Sequence, residues 1–445
     1  MTRSGLPPGP PGSPLLGNLP AFADDVLGFF TSTARTYGDI ASLKLGGRRG
    51  LLLTHPDLIE QVLVAQQRNF VKHSFFWRHV RAIFGQGLLT SEGDAWLQQR
   101  RAIQPAFHKD RIAGYARTMV DFTERASARW TNGERRDVHQ DMMALTLEIV
   151  AKVLFDAAVT EDVGEMDRAI DLAMHEIAAR FRRPFPIPDW VPLPGNLRYN
   201  SSVRLLNKVI FRFIAEHEAR AEPGDDLLST LLELGKDPAS PMTREQVRDE
   251  AVTLLLAGHE TTALTLSWTF ALLSRHPHVE KRLHAELDEE LGDRPPTLED
   301  LPRLRWAECI VQESMRLYPP AYAIGREAVA DCEIGGWAVP AGTTLFIIPW
   351  VLHRDPRWFS GPETFRPERW EEDLADRLPR FAYMPFGGGP RLCIGNRFAM
   401  MEAVLVLASV ARRWRVRLDP DRMPTPFPSI TLRPSGAVMA RLERR

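Results

Sequence analysis

The stretch AVTLLLAGHETTALTLSWTFALL (Ala251–Leu273) is apolar over a length that could span a membrane, yet it carries His259 and Glu260 at its centre. An acidic group near a bilayer centre costs roughly 2.5–3.5 kcal/mol on insertion scales. The stretch therefore reads as a helix buried through the middle of a protein core, and its polar centre requires a reason. TREQ supplies a capping box at one end, with Thr243 as N-cap and Gln246 at the third helical position. Pro277 ends the helix at the other. About thirty residues give roughly 45 Å, enough to cross the whole molecule. Gly258, Thr261 and Thr262 weaken the middle. Taken alone, such a break is a hydrogen-bonded kink.

A core of that size needs enough apolar residues, and 44% hydrophobic with 25% charged supplies it in a soluble globular chain. A formal net charge of -1 excludes a global field for nucleic acid or an anionic membrane. Three cysteines, Cys309, Cys332 and Cys393, form no disulfide framework and fit a reducing, cytoplasmic compartment. LPPGPPGSPLLG (Leu6–Gly17) reads as a stiff, extended lead-in, with no signal-peptide or transmembrane-anchor pattern around it. IASLKLGGRRGLLLTHP (Ile40–Pro56) alternates around a Gly-Gly turn and predicts a β-hairpin. Helical periodicity dominates from Pro56 to Arg275; strand patterns return over Arg326–Ile348, and Ser429–Leu442 predicts a terminal hairpin. The expected organisation is one mainly α (α+β) domain over 1–445. Residues 1–20 lead in, about 21–56 and 326–445 build a small β region, and about 57–325 are mostly helical.

The second informative stretch is FGGGPRLCIG (Phe386–Gly395). A cysteine on its own reads as an inert core thiol. Here Gly387, Gly388 and Gly389 permit positive φ and close approach. After Gly395, Phe398, Met401, Leu405 and Ala408 recur at helical spacing, with Arg412 and Arg413 at the far end. Cys393 thus stands at or just before a helix N-terminus, whose unpaired amides favour a thiolate. No phosphatase loop, nucleotide P-loop or zinc spacing accompanies it. A single thiolate on an iron whose other ligands are not side chains remains.

The stretch resembles the haem-binding signature of cytochromes P450, with Phe386, Gly389, Arg391, Cys393 and Gly395 at the five specified positions. Several further segments resemble that family in the expected order. AGHETT (Ala257–Thr262) is similar to its oxygen-activating motif, which places Ala257 beside the haem, Thr261 at the oxygen-activating position and Glu260 as its link to protons. ESMR and FRPERW imply one structural cluster of Glu313, Arg316 and Arg369, with Trp370 where the family more commonly has Phe. WLQQR is similar to the helix that meets the haem propionates through Trp96 and Arg100, joined by Arg326 and Arg391. Gly387 joins Phe386 and Gly395 in the haem-facing loop, and Cys393 is the metal ligand. The implied fold is the P450 fold, a large helical domain with a small β-rich region.

The resemblance implies a haem-thiolate monooxygenase. Its cofactor is haem b and its co-substrate O2. Electrons come ultimately from NAD(P)H through a separate ferredoxin or flavodoxin with its reductase, because no flavin or iron–sulfur segment accompanies the motifs. Arg100, Arg101, Lys109 and Arg111 form a basic run that could dock an acidic donor or equally be a solvated helix face. The expected assembly is a monomer. A peroxide-driven or isomerising haem-thiolate enzyme is the alternative, with a non-catalytic haem sensor or a helical protein with an inert Cys393 behind it; Glu260 and Thr261 argue for the monooxygenase. The pocket is expected to be roofed by NFVKHSFFWRHV (Asn69–Val80) and IFGQGLLT (Ile83–Thr90), with FRRPFPIPDW (Phe181–Trp190) in a lid. Its lining candidates are Phe75, Phe76, Phe84, Ala257, Ala323, Ile324 and Ile430. These suit a hydrophobic small molecule such as a terpenoid, fatty acid, carotenoid or macrolide-like compound.

Overall fold

The expected capping box forms. Gln246 N–H donates to Thr243 Oγ1 at 3.2 Å, and Thr243 N–H donates to Gln246 Oε1 at 2.8 Å. It starts a helix, Arg244–Arg275, of 32 residues and about 48 Å. This is a computed structural model describing residues 5–72, 75–158, 163–181, 187–222, 224–236, 242–372, 374–419 and 423–445. Burying so many hydroxyls along one helix is possible because they fold back onto it. Thr261, Thr262, Thr265, Ser267 and Thr269 each donate to the carbonyl four residues earlier. Among the described residues no helix is long and apolar enough to cross a membrane.

The helix Val138–Phe155 packs along the central helix and comes close at Gly258. A Cβ there would stand 3.0 Å from Val150 Cγ2, so the glycine eases the close helix packing as well as leaving space beside it. Helices Lys109–Ser127, Arg305–Leu317 and Asn396–Arg413 complete the main apolar core. A second core lies where the N-terminal helix Val26–Tyr37 covers the largest sheet.

That sheet has the strand order Ile40–Leu45, Arg48–Leu53, Thr344–Ile347, Ile324–Ala328, Phe70–Val71. Its first pair is the predicted hairpin, with Leu45 opposite Arg48 across the Gly-Gly turn. The sheet joins the two ends of the chain through parallel pairing of Arg48–Leu53 with Thr344–Ile347. The predicted terminal hairpin does not form. Leu432–Pro434 pairs with Pro426–Pro428, whereas Met439–Arg444 pairs with Trp414–Leu418 and with Arg135–Asp137. The two halves part because the first is pinned to the central helix: Trp268 Nε1 donates to Leu432 O at 3.1 Å, and Arg433 binds Glu260. Arg135–Asp137 also brings the β structure into the region expected to be helical.

Candidate active site

The cysteine loop leads into the helix Asn396–Arg413, with Gly395 at its N-cap. Gly387 and Gly389 take φ of 72° and 67°, where other residues are strained. Gly388 is extended and needs no such freedom; a Cβ on it would strike the Phe381 ring at 2.2 Å. A Cβ on Gly389 would stand 2.1 Å from Leu63 O. The loop closes through Cys393 N–H donating to Phe386 O at 3.0 Å, and its lead-in is held by Met384 N–H donating to His353 Nε2 at 3.0 Å. Cys393 has an accessible face at the rim of this loop, as does its neighbour Leu392, and is enclosed by protein on its other sides. Enclosure by protein pushes the thiol up, and the Gly395 N–H, Arg100 and Lys72 only partly oppose this. A bound metal ion would favour the thiolate here, because a coordinating thiol is deprotonated outright.

Around the loop lies an excess of positive charge. Arg391 pairs with Glu92, donates to Ser91 O at 2.9 Å and stacks over Trp96 at 4.1 Å. Arg100 donates to Leu392 O at 2.9 Å. Arg326 is buried and donates to Gly325 O beside it. Lys72 reaches Leu89 O at 3.3 Å. Burial, then Arg326 and Arg391, hold Lys72 well below the usual lysine range. Burial and Arg391 push Arg326 down to about 10. Lys72, Arg326 and Arg391 thus share Glu92 as the carboxylate acting on them, and Arg391 Nη1 is buried without an acceptor.

On the central helix, Ala257 is open and Gly258 and Thr261 are half-buried, a one-turn window on an otherwise buried surface. Thr261 Oγ1 donates to Ala257 O at 2.7 Å. Glu260 points elsewhere. Its carboxylate accepts from Arg433 Nε at 2.7 Å and from the Thr431 hydroxyl, and Arg433 also holds Asp171 on the helix Val163–Phe181. Burial raises the Glu260 acid, but Arg433 and Thr431 outweigh it and leave it below its ordinary value. His139 and His259 flank this group, each pushed down to about 4 by burial and therefore neutral.

Glu313 is fully buried. It accepts from Arg316 Nε and Nη2 at 2.9 and 2.8 Å, Arg369 Nε at 3.0 Å, Arg366 N–H at 2.9 Å and Trp370 Nε1 at 2.8 Å. Trp370 is thus a working donor that Phe could not replace. Arg316 also donates to His353 O at 2.8 Å, so the cluster connects through His353 to Met384 and the cysteine loop.

Of the expected lining residues, Phe84 is buried in the main core, Ile324 lies 3.7 Å from where a Gly387 Cβ would be, and Ala323 is open. Phe386 and Ile430 are partly buried against the main core, Ile430 next to Thr431. Phe75 and Phe76 open the helix Phe75–Phe84, but their side chains lie outside the described residues, as do positions 182–186 of the expected lid.

A family model described as Cytochrome P450 matches residues 7–440. The chain belongs to the cytochrome P450 family. It is 40% identical over 417 residues to a cyclooctat-9-en-7-ol 5-monooxygenase of Streptomyces melanosporofaciens, covering 92% of this chain and 89% of the other. It is 38% identical to a cyclooctatin synthase of the same organism, with 95% and 92% covered. It is 34% identical to a pentalenene oxygenase of Streptomyces avermitilis, with 88% and 87% covered. The chain is a P450 monooxygenase, with the haem and dioxygen dependence of the family. The residues present fit haem: one accessible cysteine in a glycine loop, and beside it a buried cation cluster with an unfilled donor, suited to the two propionates.

Sequence reasoning missed Lys72, Glu92, Thr431 and Arg433, which the structure gathers around the expected residues, and named Trp370 only as a departure from the family pattern. Lys72 stood unnoticed inside an aromatic segment read as a roof. Arg433 lies 173 residues from Glu260, and no local pattern announces that pairing.

Proposed function

We propose that this P450 hydroxylates a terpenoid, using O2 and two electrons that pass from NAD(P)H through a separate ferredoxin or flavodoxin and its reductase. The similarity to terpenoid oxygenases over about nine-tenths of the chain carries the substrate class. The candidate lining, Phe84, Ala257, Ala323, Ile324 and Ile430, is wholly apolar, and Glu260 is tied away to Arg433. Such a lining selects by shape rather than by charge.

In this reading Cys393 is the iron ligand, Phe386, Gly387 and Gly395 cradle the ring, and Trp96, Arg100, Arg326, Arg391 and Lys72 meet its carboxylates. Bound haem supplies O–O cleavage and C–H oxidation, favoured by thiolate donation. Thr261 turns its hydroxyl from Ala257 O toward the reacting centre and holds a proton there. Glu260 relays protons from the surface when Arg433 shifts its grip to Asp171, whose side chain is half exposed. Glu313, Arg316 and Arg369 steady the loop. Arg101 and Lys109, both exposed, suit an acidic electron donor. The scarcity of cysteines, with no disulfide framework, supports a cytoplasmic location, and we take the chain to act as a monomer.

A spin-state titration of purified ferric protein tests the substrate class. Polycyclic terpenes and their mono-alcohols are expected to displace water and shift the Soret band to the high-spin form. A response to fatty acids with none to terpenoids would contradict it.

A further inference from the structure

The two carboxyl groups beside the Thr261–Thr262 pair are in opposite situations. Glu260 is an ion-paired acceptor, as described. Glu402, on the helix Asn396–Arg413, is fully buried, and neither of its oxygens makes a hydrogen bond of full geometry among the described residues. The Thr262 side chain is the polar group that acts on it, as a weak hydrogen-bonding partner that opposes the effect of burial without outweighing it. No cation acts on it. An unpaired carboxylate in such a place would cost several kcal/mol, so the group is a neutral acid, in agreement with burial holding it well above the usual carboxylate range.

A neutral acid still has one O–H to donate and a carbonyl to satisfy, and each polar group left bare costs about 1–3 kcal/mol. Buried polar groups of this kind are normally met by internal water, which itself needs two to four polar partners. Thr262 can be one: its hydroxyl donates to Gly258 O at 3.2 Å and keeps lone pairs free. Ser314, on the helix Arg305–Leu317 that packs against both others, carries another buried hydroxyl without a partner.

We propose that Glu402 is a positioning residue for the oxygen-activating turn, holding an internal water against Thr262 and so bracing the Gly258–Thr262 segment that presents Thr261. The water accepts from the Glu402 O–H and donates to Thr262 Oγ1. Thr262 in turn loads the Gly258 carbonyl, which already serves the helix. The turn that holds the window is fixed from behind, by a group that never reaches the reacting atoms. The functional consequence rests on the assigned role of Thr261; the water site and the neutral acid do not.

Three measurements on the holoprotein test this. Infrared difference spectra of wild type against Glu402→Gln should contain the carbonyl band of a protonated buried carboxyl, unchanged across the neutral range; its absence overturns the proposal. A high-resolution crystal structure should place a water within hydrogen-bond distance of both Glu402 and Thr262, and a dry contact there overturns it too. Glu402→Met, which replaces a buried polar group by an apolar one of similar size, should fold and bind haem normally yet release several-fold more peroxide per product. Glu402→Gln, which keeps both a donor and an acceptor, should restore wild-type coupling. Wild-type coupling in Glu402→Met overturns the positioning role. If Thr261→Ala also leaves coupling unchanged while the band and the water are present, the Thr261 assignment has failed rather than the site.

Discussion

Two buried ion-pair clusters organise this molecule, and they are built differently. Around Glu313 both carboxylate oxygens are filled by two arginines, a backbone N–H and an indole, with Glu313 and Arg316 wholly enclosed. Around Glu260 one arginine is divided between a buried carboxylate and the half-exposed Asp171, and Arg433 Nη2 is left without a partner. The first is closed and has a single arrangement. The second is incomplete and reaches the surface. A closed cluster suits a scaffold under the cysteine loop; an incomplete one can change partners, as the proton transfer proposed beside Thr261 requires.

Substitutions break this comparison in order of size. Glu313→Ala leaves two buried guanidiniums unpaired. Breaking one buried pair costs about 3–5 kcal/mol, comparable with the lower end of a domain's stability of about 5–15 kcal/mol. Little folded, haem-loaded protein should be recovered, and normal haem content would refute the scaffold role. Arg433→Met should be milder, about 3 kcal/mol by denaturant unfolding, because Glu260 keeps Thr431 and can neutralise itself. It should fold, bind haem and lose coupling of electrons to product. Asp171→Asn should change stability by less than about 1 kcal/mol, since Asp171 is half exposed, while altering the pH dependence of turnover. Equal losses from Arg433→Met and Glu313→Ala would erase the distinction.

A separate effect, read from pH dependence, concerns the roof loop. Leu88 N–H donates to Glu250 on the central helix at 2.9 Å, and burial holds the Glu250 acid up at about 8, against an ordinary 4.5. A raised folded value means that the contribution to stability is full below pH 4.5 and is lost as pH rises toward about 8. Glu250→Gln should remove that loss, so the wild-type melting temperature should fall relative to the variant across this window. Parallel profiles would show that folding does not raise the Glu250 acid.

How much was legible follows from how local each interaction is. The capping box at Thr243 and the Gly-Gly hairpin depend on residues three or four apart, and the sequence displays them. Cys393, Glu313 and Arg316 sit in short patterns and were found with their neighbours. The terminal hairpin failed because Leu432 and Arg433 answer to Trp268 and Glu260, more than 160 residues away. Lys72 and Glu92 stayed hidden for the same reason: single charges acquire meaning only when the fold gathers them. Trp370 looked like a departure until its indole N–H met Glu313.

The account depends most on Cys393 as the iron ligand of a haem held by that loop. The reduced carbonyl spectrum of Cys393→Ser tests it most directly. The long-wavelength Soret band of the wild type should be lost in the variant, while far-ultraviolet circular dichroism remains native. An unchanged Soret band in the folded variant would contradict the assignment of Cys393 and the site built around it.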